Sequence, residues 1–389
     1  MSRPAERVRH LPGGGLAALL VGGRTDLVNL AVGTPAYPPT PPELVERACA
    51  ALRGGANQYA DPVGDPVLRE RIAASLPGAP DPATELTITV GGSEGLCVAL
   101  LTTVDPGDEV IVLEPFYENF VSAIAMAGGR PRFVKLREPD WSLDEDELAA
   151  AFNERTRAVV INSPSNPTGA LLDRAQLEFL GELCARWDVT VISDEVYAPY
   201  VYDGRAHCSA AEIPALADRS IVVGSLSKTH TVSGWRLGYL RARPHWTSLL
   251  RQVHVATTAG APAPLQRAAA DAGLFGPAAW DPAPLLGAQR DRTVRMLREA
   301  GFDCAFPAGG CYVMAGIRGL TDEDSPDFTR ALAADAGLLL APGTVFFADP
   351  ARGAAYVRVA FNRPPDVLDQ AEQRLRDFAR DRTAQPVTR

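Results

Sequence analysis

The stretch 221–239, IVVGSLSKTHTVSGWRLGY, joins a short β-branched run to a polar loop that carries one of the chain's two lysines. Ile221-Val-Val223 has the composition of a strand buried on both faces, with no polar side alternating against an apolar one. Gly224-Ser225-Leu-Ser-Lys228 follows at what would be its carboxyl end. The other lysine, Lys135, closes the strand-like run 132–136, and every remaining basic residue is arginine. Arginine stays charged and cannot act as an amine nucleophile, whereas a lysine that sheds its proton can attack a carbonyl and form a Schiff base. A lysine kept in this loop of an arginine-biased chain is therefore a candidate catalytic amine.

Similar apolar runs recur upstream at 86–90, 110–113, 158–161 and 189–192. Helical patterns at 94–104, 118–127 and 173–186 fall between them. This alternation predicts an α/β fold with a mostly parallel, doubly wound sheet. Beyond about residue 280 the pattern changes to an Arg-rich helix near 284–300, strand-like runs at 311–315 and 356–360, and a final helix near 366–381. The expected organisation is a large domain over 43–280 and a smaller α+β domain built from 1–42 and 281–389. No internal repeat is visible.

Open α/β sheets bind ligands beyond the carboxyl ends of their strands. Polar clusters fall at three such ends: 163–169, 193–197 and 224–228. With parallel strands, Asn166, Asp194, Tyr197 and Lys228 converge on one site. A fourth loop, 90–95 (VGGSEG), leaves a strand and opens a helix, so its free backbone N–H groups form an anion site suited to phosphate. It is not a Walker motif, and there is no GxGxxG.

The net charge of −9 gives no reason to expect nucleic acid or an anionic membrane surface as partner. No apolar run approaches the roughly 20 residues of a membrane helix, and the first 23 residues lack a signal-peptide layout. The six cysteines form no CxxC pair and no zinc spacing, so no metal is expected. They read as free thiols, mostly within apolar helical stretches, of a cytoplasmic protein.

An amine, a carboxylate, a phenol, an amide and a phosphate cradle match the requirements of pyridoxal 5′-phosphate, PLP. The sequence resembles the fold-type I PLP enzymes of the class I/II aminotransferase family, the aspartate aminotransferase superfamily. The resemblance rests on NQYADPVG (57–64) with Leu68-Arg69, EPFY (114–117), NPTG (166–169), DEVY (194–197), SLSK (225–228) with GWR (234–236), and Arg358. It spans about residues 28–380, and these motifs in this order are highly specific together.

The resemblance implies a seven-stranded-type sheet in the large domain and a role for each matching residue. Lys228 would hold PLP as a Schiff base and then shuttle a proton. Asp194 would pair with the ring nitrogen, while Tyr197 and Asn166 would bind the ring's phenolic oxygen. Ser225, Arg236 and the backbone of Gly92 and Ser93 would hold the phosphate, and Tyr117 would stack on the ring. Tyr59 would reach the phosphate of a neighbouring subunit, implying a homodimer with shared active sites. Arg358 would clamp the substrate carboxylate beside Gly33, with Asn166 also at the substrate. The activity implied is amino transfer from an L-amino acid to a 2-oxo acid. The alternative is lyase, cyclase or other carbanion chemistry at the same site. The loop 255–262 lacks Lys and Arg, which argues against strict aspartate specificity and for a neutral or aromatic substrate. His254 and Tyr37 are candidates to shape that pocket. The stretches 114–117 and 126–131 are most similar to the kynurenine/glutamine aminotransferase branch.

Overall fold

The structure is a computed structural model and describes residues 3, 5–11, 27–276 and 280–384. Its largest sheet has seven strands in the order β2-β8-β7-β6-β5-β3-β4. They span Leu86–Thr89 (β2), Glu109–Glu114 (β3), Arg130–Lys135 (β4), Thr156–Asn162 (β5), Thr190–Asp194 (β6), Ser220–Ser225 (β7) and Gly238–Arg241 (β8). β8 alone runs against its neighbours; all other pairings are parallel. The apolar runs read from the sequence are these strands, and β2, β6 and β7 are buried along their whole length. β8 was not legible as a strand because Gly-Tyr-Leu-Arg is short and opens on glycine. That glycine is required: a Cβ on Gly238 would lie 2.6 Å from the Gly91 carbonyl carbon.

Helices at Gly91–Thr103, Glu118–Ala127 and Arg174–Trp187 fall where the sequence pattern placed them. Each covers the sheet with an apolar face, and Arg174–Trp187 starts with a reciprocal capping box between Asp173 and Gln176. Burial of these faces, at about 25 cal/mol per Å² of apolar area, supplies the main drive for closing helices onto the sheet.

Two smaller sheets complete the fold. β9 (Tyr312–Gly316), β12 (Tyr356–Ala360) and β11 (Ala341–Pro342) form an antiparallel three-stranded sheet, ordered β11-β12-β9. β1 (Val28–Asn29), near the chain's start, pairs parallel with β10 (Leu338–Leu339). Helices Ala283–Glu299 and Pro365–Ala384 pack against this part.

One expectation changes and another falls outside the described residues. The cysteines are all free, but only Cys49, Cys97 and Cys184 lie in helices; Cys208, Cys304 and Cys311 occupy loops or strand ends. Most of the glycine-interrupted apolar stretch near the N-terminus, residues 12–26, lies outside the described residues. No helix among the described residues is long and apolar enough to cross a membrane.

Candidate active site

A cavity of about 380 Å³ opens at the carboxyl ends of β5, β6 and β7, between them and the small sheet. Every residue singled out from the sequence lines it except Tyr59, His254 and Tyr37. Parallel strands produce this convergence. β5, β6 and β7 end in register, and the next residues of each chain segment turn into the same crevice.

Lys228 sits on a single helical turn, Leu226–Thr229, immediately after β7. Its Nζ donates to the Gly33 carbonyl at 3.2 Å, and Tyr200 Oη holds the Lys228 carbonyl from behind. Desolvation lowers the Lys228 pKa, and the nearby Arg358 and Arg236 guanidinium groups push the same way. The amine is thus easier to deprotonate than an exposed lysine.

Asp194 ends β6. Burial pushes its carboxyl up to about 7, the neighbouring Glu195 carboxylate adds to this, and Lys228 and one backbone N–H oppose it. That N–H, from Val196 at 3.3 Å, is the carboxylate's one hydrogen bond among the described residues. Glu195 is treated differently. It accepts from Ser193 Oγ (2.8 Å), Ser209 Oγ (3.0 Å) and the Ala210 N–H (3.0 Å), and its other oxygen faces His207 Nε2 at 3.0 Å. Asn162 ties the strand ends together, donating to the Asp194 carbonyl at 2.9 Å and accepting from the Asn166 N–H at 2.7 Å.

The anion cradle forms where helix Gly91–Thr103 begins, beside the Ser225–Lys228 turn. Gly92 and Ser93 line the cavity there. Arg236, in the left-handed backbone region at φ 55°, lays its guanidinium so close to Gly91 that a Cβ there would be 2.5 Å from Nη2. Ser225 Oγ accepts from the Ser227 N–H at 3.1 Å. Ser227 was missed in the sequence reading. Its Oγ is buried without a partner among the described residues, and Ser227 lines the same cavity.

Arg358 enters from β12, fully buried. Nη1 donates to Asn166 Oδ1 (2.9 Å), Nη2 donates to the Ala31 carbonyl (2.6 Å), and Nε has no partner. The guanidinium lies between the rings of Tyr312, 4.2 Å from its centroid, and Phe346, 4.7 Å away. Arg363 pins the adjoining segment by donating to the carbonyls of Asn29, Val32 and Thr34. Tyr312 is the second residue the sequence did not disclose: it reaches the site from β9, with its hydroxyl 3.3 Å from that of Tyr197. Tyr117 lines the cavity with its hydroxyl accepting from Asn119 Nδ2 at 2.8 Å.

Three residues lie elsewhere. Tyr59 is 94% exposed and lines a separate depression with residues 258–264. His254 does not shape the cavity. It is buried beneath the cradle, with Nδ1 2.6 Å from Glu94 Oε1 and Nε2 2.8 Å from the Pro62 carbonyl. Helical position put it on the inward face of Pro244–Thr258, a burial that sequence alone did not reveal. Tyr37 packs against the hydrophobic core next to the small sheet.

The residues fit PLP. A buried carboxylate with one weak hydrogen bond calls for a cationic N–H, which a pyridinium supplies. Ser227 Oγ, the start of a helix and a close arginine provide unused donors for a phosphate. A desolvated amine lies in the same cavity. Together they define a site for a PLP-dependent enzyme acting on an amine.

The comparisons carry this further. The family model for aminotransferase class I and II matches residues 25–375. Human kynurenine–oxoglutarate transaminase 1 is 33% identical, over 91% of this chain and 92% of that protein. The structure of N-succinyldiaminopimelate aminotransferase from Mycobacterium tuberculosis superposes with a TM-score of 0.91 at 33% identity, covering 96% of this chain and 99% of that one. A methionine aminotransferase structure from Escherichia coli gives 0.90 at 31% identity, covering 97% and 100%. The chain belongs to the class I and II aminotransferase family. It is a PLP-dependent aminotransferase of fold type I, whose substrates are an amino acid and a 2-oxo acid.

Proposed function

We propose that this site transfers the amino group of a neutral or aromatic L-amino acid, with Lys228 as the residue that binds the cofactor and moves the proton. The observation that carries this reading is the placement of Lys228 Nζ, a desolvated amine, in one cavity with Asp194 and Arg358. When bound, PLP supplies an electron sink for the bond at the substrate's Cα. Asp194 holds the ring-nitrogen proton, its isolated carboxylate favouring a cation at close range. Tyr197 and Asn166 would hold the ring's phenolic oxygen, and Tyr117 would pack on the ring. Ser225, Ser227, Arg236 and the N–H groups of Gly92 and Ser93 hold the phosphate. Arg358 exchanges its Ala31 carbonyl contact for the substrate's α-carboxylate, with Gly33 alongside. Lys228 Nζ would serve as the general base that takes the substrate's Cα proton and as the general acid that then gives that proton up away from Cα.

The three cations lining the cavity, Lys228, Arg236 and Arg358, all have roles in this reading. None is left to pair with a second carboxylate, which supports a neutral or aromatic side chain. Tyr59, exposed on its own subunit, supports a homodimer in which it completes the partner's phosphate cradle. The division into 43–280 and 1–42 with 281–389 is supported by β1 pairing with β10 across the chain. A cytoplasmic location accords with six free cysteines.

The test is single-turnover spectroscopy of the loaded protein with one L-amino acid at a time and no 2-oxo acid. Conversion to the amine form of the cofactor, with one 2-oxo acid formed per site, is the expected outcome for a neutral or aromatic donor. Ammonia release over many turnovers would overturn amino transfer in favour of elimination or cyclisation. Conversion by aspartate alone would overturn the substrate class.

A further inference from the structure

We infer that Tyr312 is a positioning residue that sets both the Tyr197 phenol and the Arg358 guanidinium, so that the ring-oxygen and carboxylate subsites are built on one side chain. This rests on the roles proposed above for Tyr197 and Arg358. Tyr312 is 2% exposed, comes from β9, and has its Cα opposite Ala360 of β12, two residues beyond Arg358. Its ring meets that of Tyr197 edge-on, at 6.0 Å between centroids and 86° between planes. The hydroxyls are 3.3 Å apart. The face of the Tyr312 ring carries the Arg358 guanidinium at 4.2 Å. Its Oη presses on the backbone at Gly33, where a Cβ would come within 1.6 Å, so the loop reaches it only as glycine. That loop carbonyl is also the one that accepts from Lys228 Nζ.

The two contacts do different things. A phenol has one proton, so when Tyr197 donates to the ring oxygen it can only accept from Tyr312. Tyr312 must then donate, and a donor behind Tyr197 strengthens its own donation. The Tyr312 ring face acts separately. A guanidinium over a desolvated ring is attracted to it, which fixes the plane of the fork that meets a carboxylate.

Each contact therefore has its own variant. Tyr312→Phe keeps the ring and removes the donor. A hydrogen bond to an anionic oxygen lowers the pKa of the protonation it competes with, so its weakening raises that pKa. The pH midpoint of the bound cofactor's visible absorption should move upward in Tyr312→Phe. The shift should share the direction of Tyr197→Phe and be smaller, with KM for the amino donor within about twofold of wild type. Tyr312→Leu removes the ring face as well, and KM should rise about tenfold with kcat less affected. Phe at the position restores KM but not the midpoint, a split that a residue merely filling the core would not give.

If Tyr197→Phe moves the midpoint and Tyr312→Phe does not, the relay is wrong. If neither moves it, the role given to Tyr197 fails first and the relay falls with it. A wild-type KM in Tyr312→Leu, or a KM raised equally by Phe, overturns the guanidinium support. Should the Leu variant not fold, KM in Tyr312→Phe against Arg358→Lys decides that half, because a ring-supported fork predicts a defect only in the second.

Discussion

The two walls of the cavity are built on opposite plans. On the wall formed by the ends of β6 and β7, two ionisable groups that line the cavity stand nearly alone among the described residues: the Asp194 carboxylate has one backbone hydrogen bond and Lys228 Nζ one carbonyl. On the wall formed by β9 and β12, the charges are already engaged. Arg358 has Asn166, Ala31 and two ring faces, and Arg363 has a set of backbone carbonyls. A buried charge without partners is costly, so the first wall makes sense as the bed of a resident group that supplies the missing partners. The second wall holds most of its polar groups in contacts of its own, Arg358 Nε excepted, and exchanges one contact when a carboxylate arrives. It suits a ligand that comes and goes.

The sharpest way to break this contrast lies on the first wall. Lys228→Ala removes the only amine there, and neither arginine lining the cavity can replace it, because a guanidinium does not deprotonate. Turnover should fall below detection, and the visible absorption of the bound cofactor should be lost or shifted. Circular dichroism should show the same fold. Wild-type rates from this variant would remove the lysine from the mechanism.

On the second wall the expected effect is smaller. Arg358→Ala leaves the Asn166 amide and the Ala31 carbonyl without their donor and deprives the substrate carboxylate of its fork. Breaking one side of a buried, hydrogen-bonded charge contact costs roughly 2–5 kcal/mol, here read as a fall in kcat/KM. Cofactor absorption should be retained, since Arg358 does not itself hold the cofactor in the proposed arrangement, and only its pH midpoint should respond, through Asn166 and Tyr312. Lost absorption in Arg358→Ala would mean that the two walls are not separable.

The same contrast explains how much could be read from the sequence. The first wall is written locally. A β-branched run followed by Ser-Leu-Ser-Lys, or by Asp-Glu-Val-Tyr, puts the functional side chain within a few residues of its strand, and parallel strands bring the ends together. Arg358 could be singled out because a charge in an apolar run stands out. Tyr312 could not, since it lies in an apolar strand where a tyrosine is ordinary, and its partner Tyr197 is 115 positions away. Nothing in Ser-Leu-Ser-Lys singles out Ser227 from Ser225, and only the fold places its unpartnered hydroxyl in the cavity. His254 shows the reverse error. Its chemistry suggested a pocket residue, but helix phase turned it inward to Glu94 and Pro62.

The finest form of the comparison sets two adjacent carboxylates on the first wall against each other. Glu195 is saturated with donors, whereas Asp194 is not, and burial holds the Asp194 carboxyl near 7 against an ordinary value of 3.8. A carboxyl whose folded pKa is raised binds its proton more tightly folded than unfolded. Its contribution is therefore most favourable below about pH 4 and is lost as pH rises towards 7, where the folded protein must ionise a buried group. Cofactor-free wild type should lose stability across that window relative to Asp194→Asn, by on the order of 4 kcal/mol, and the two curves should run parallel above it. Urea denaturation of both proteins at a series of pH values reads the difference directly, because every other carboxylate is common to the pair. Adding PLP should erase the wild-type deficit at pH 7 without helping the Asn variant to the same degree, since only a carboxylate gains from a pyridinium N–H. Parallel curves throughout would show that Asp194 is already satisfied without the cofactor, and the distinction between the two walls would no longer hold at this residue.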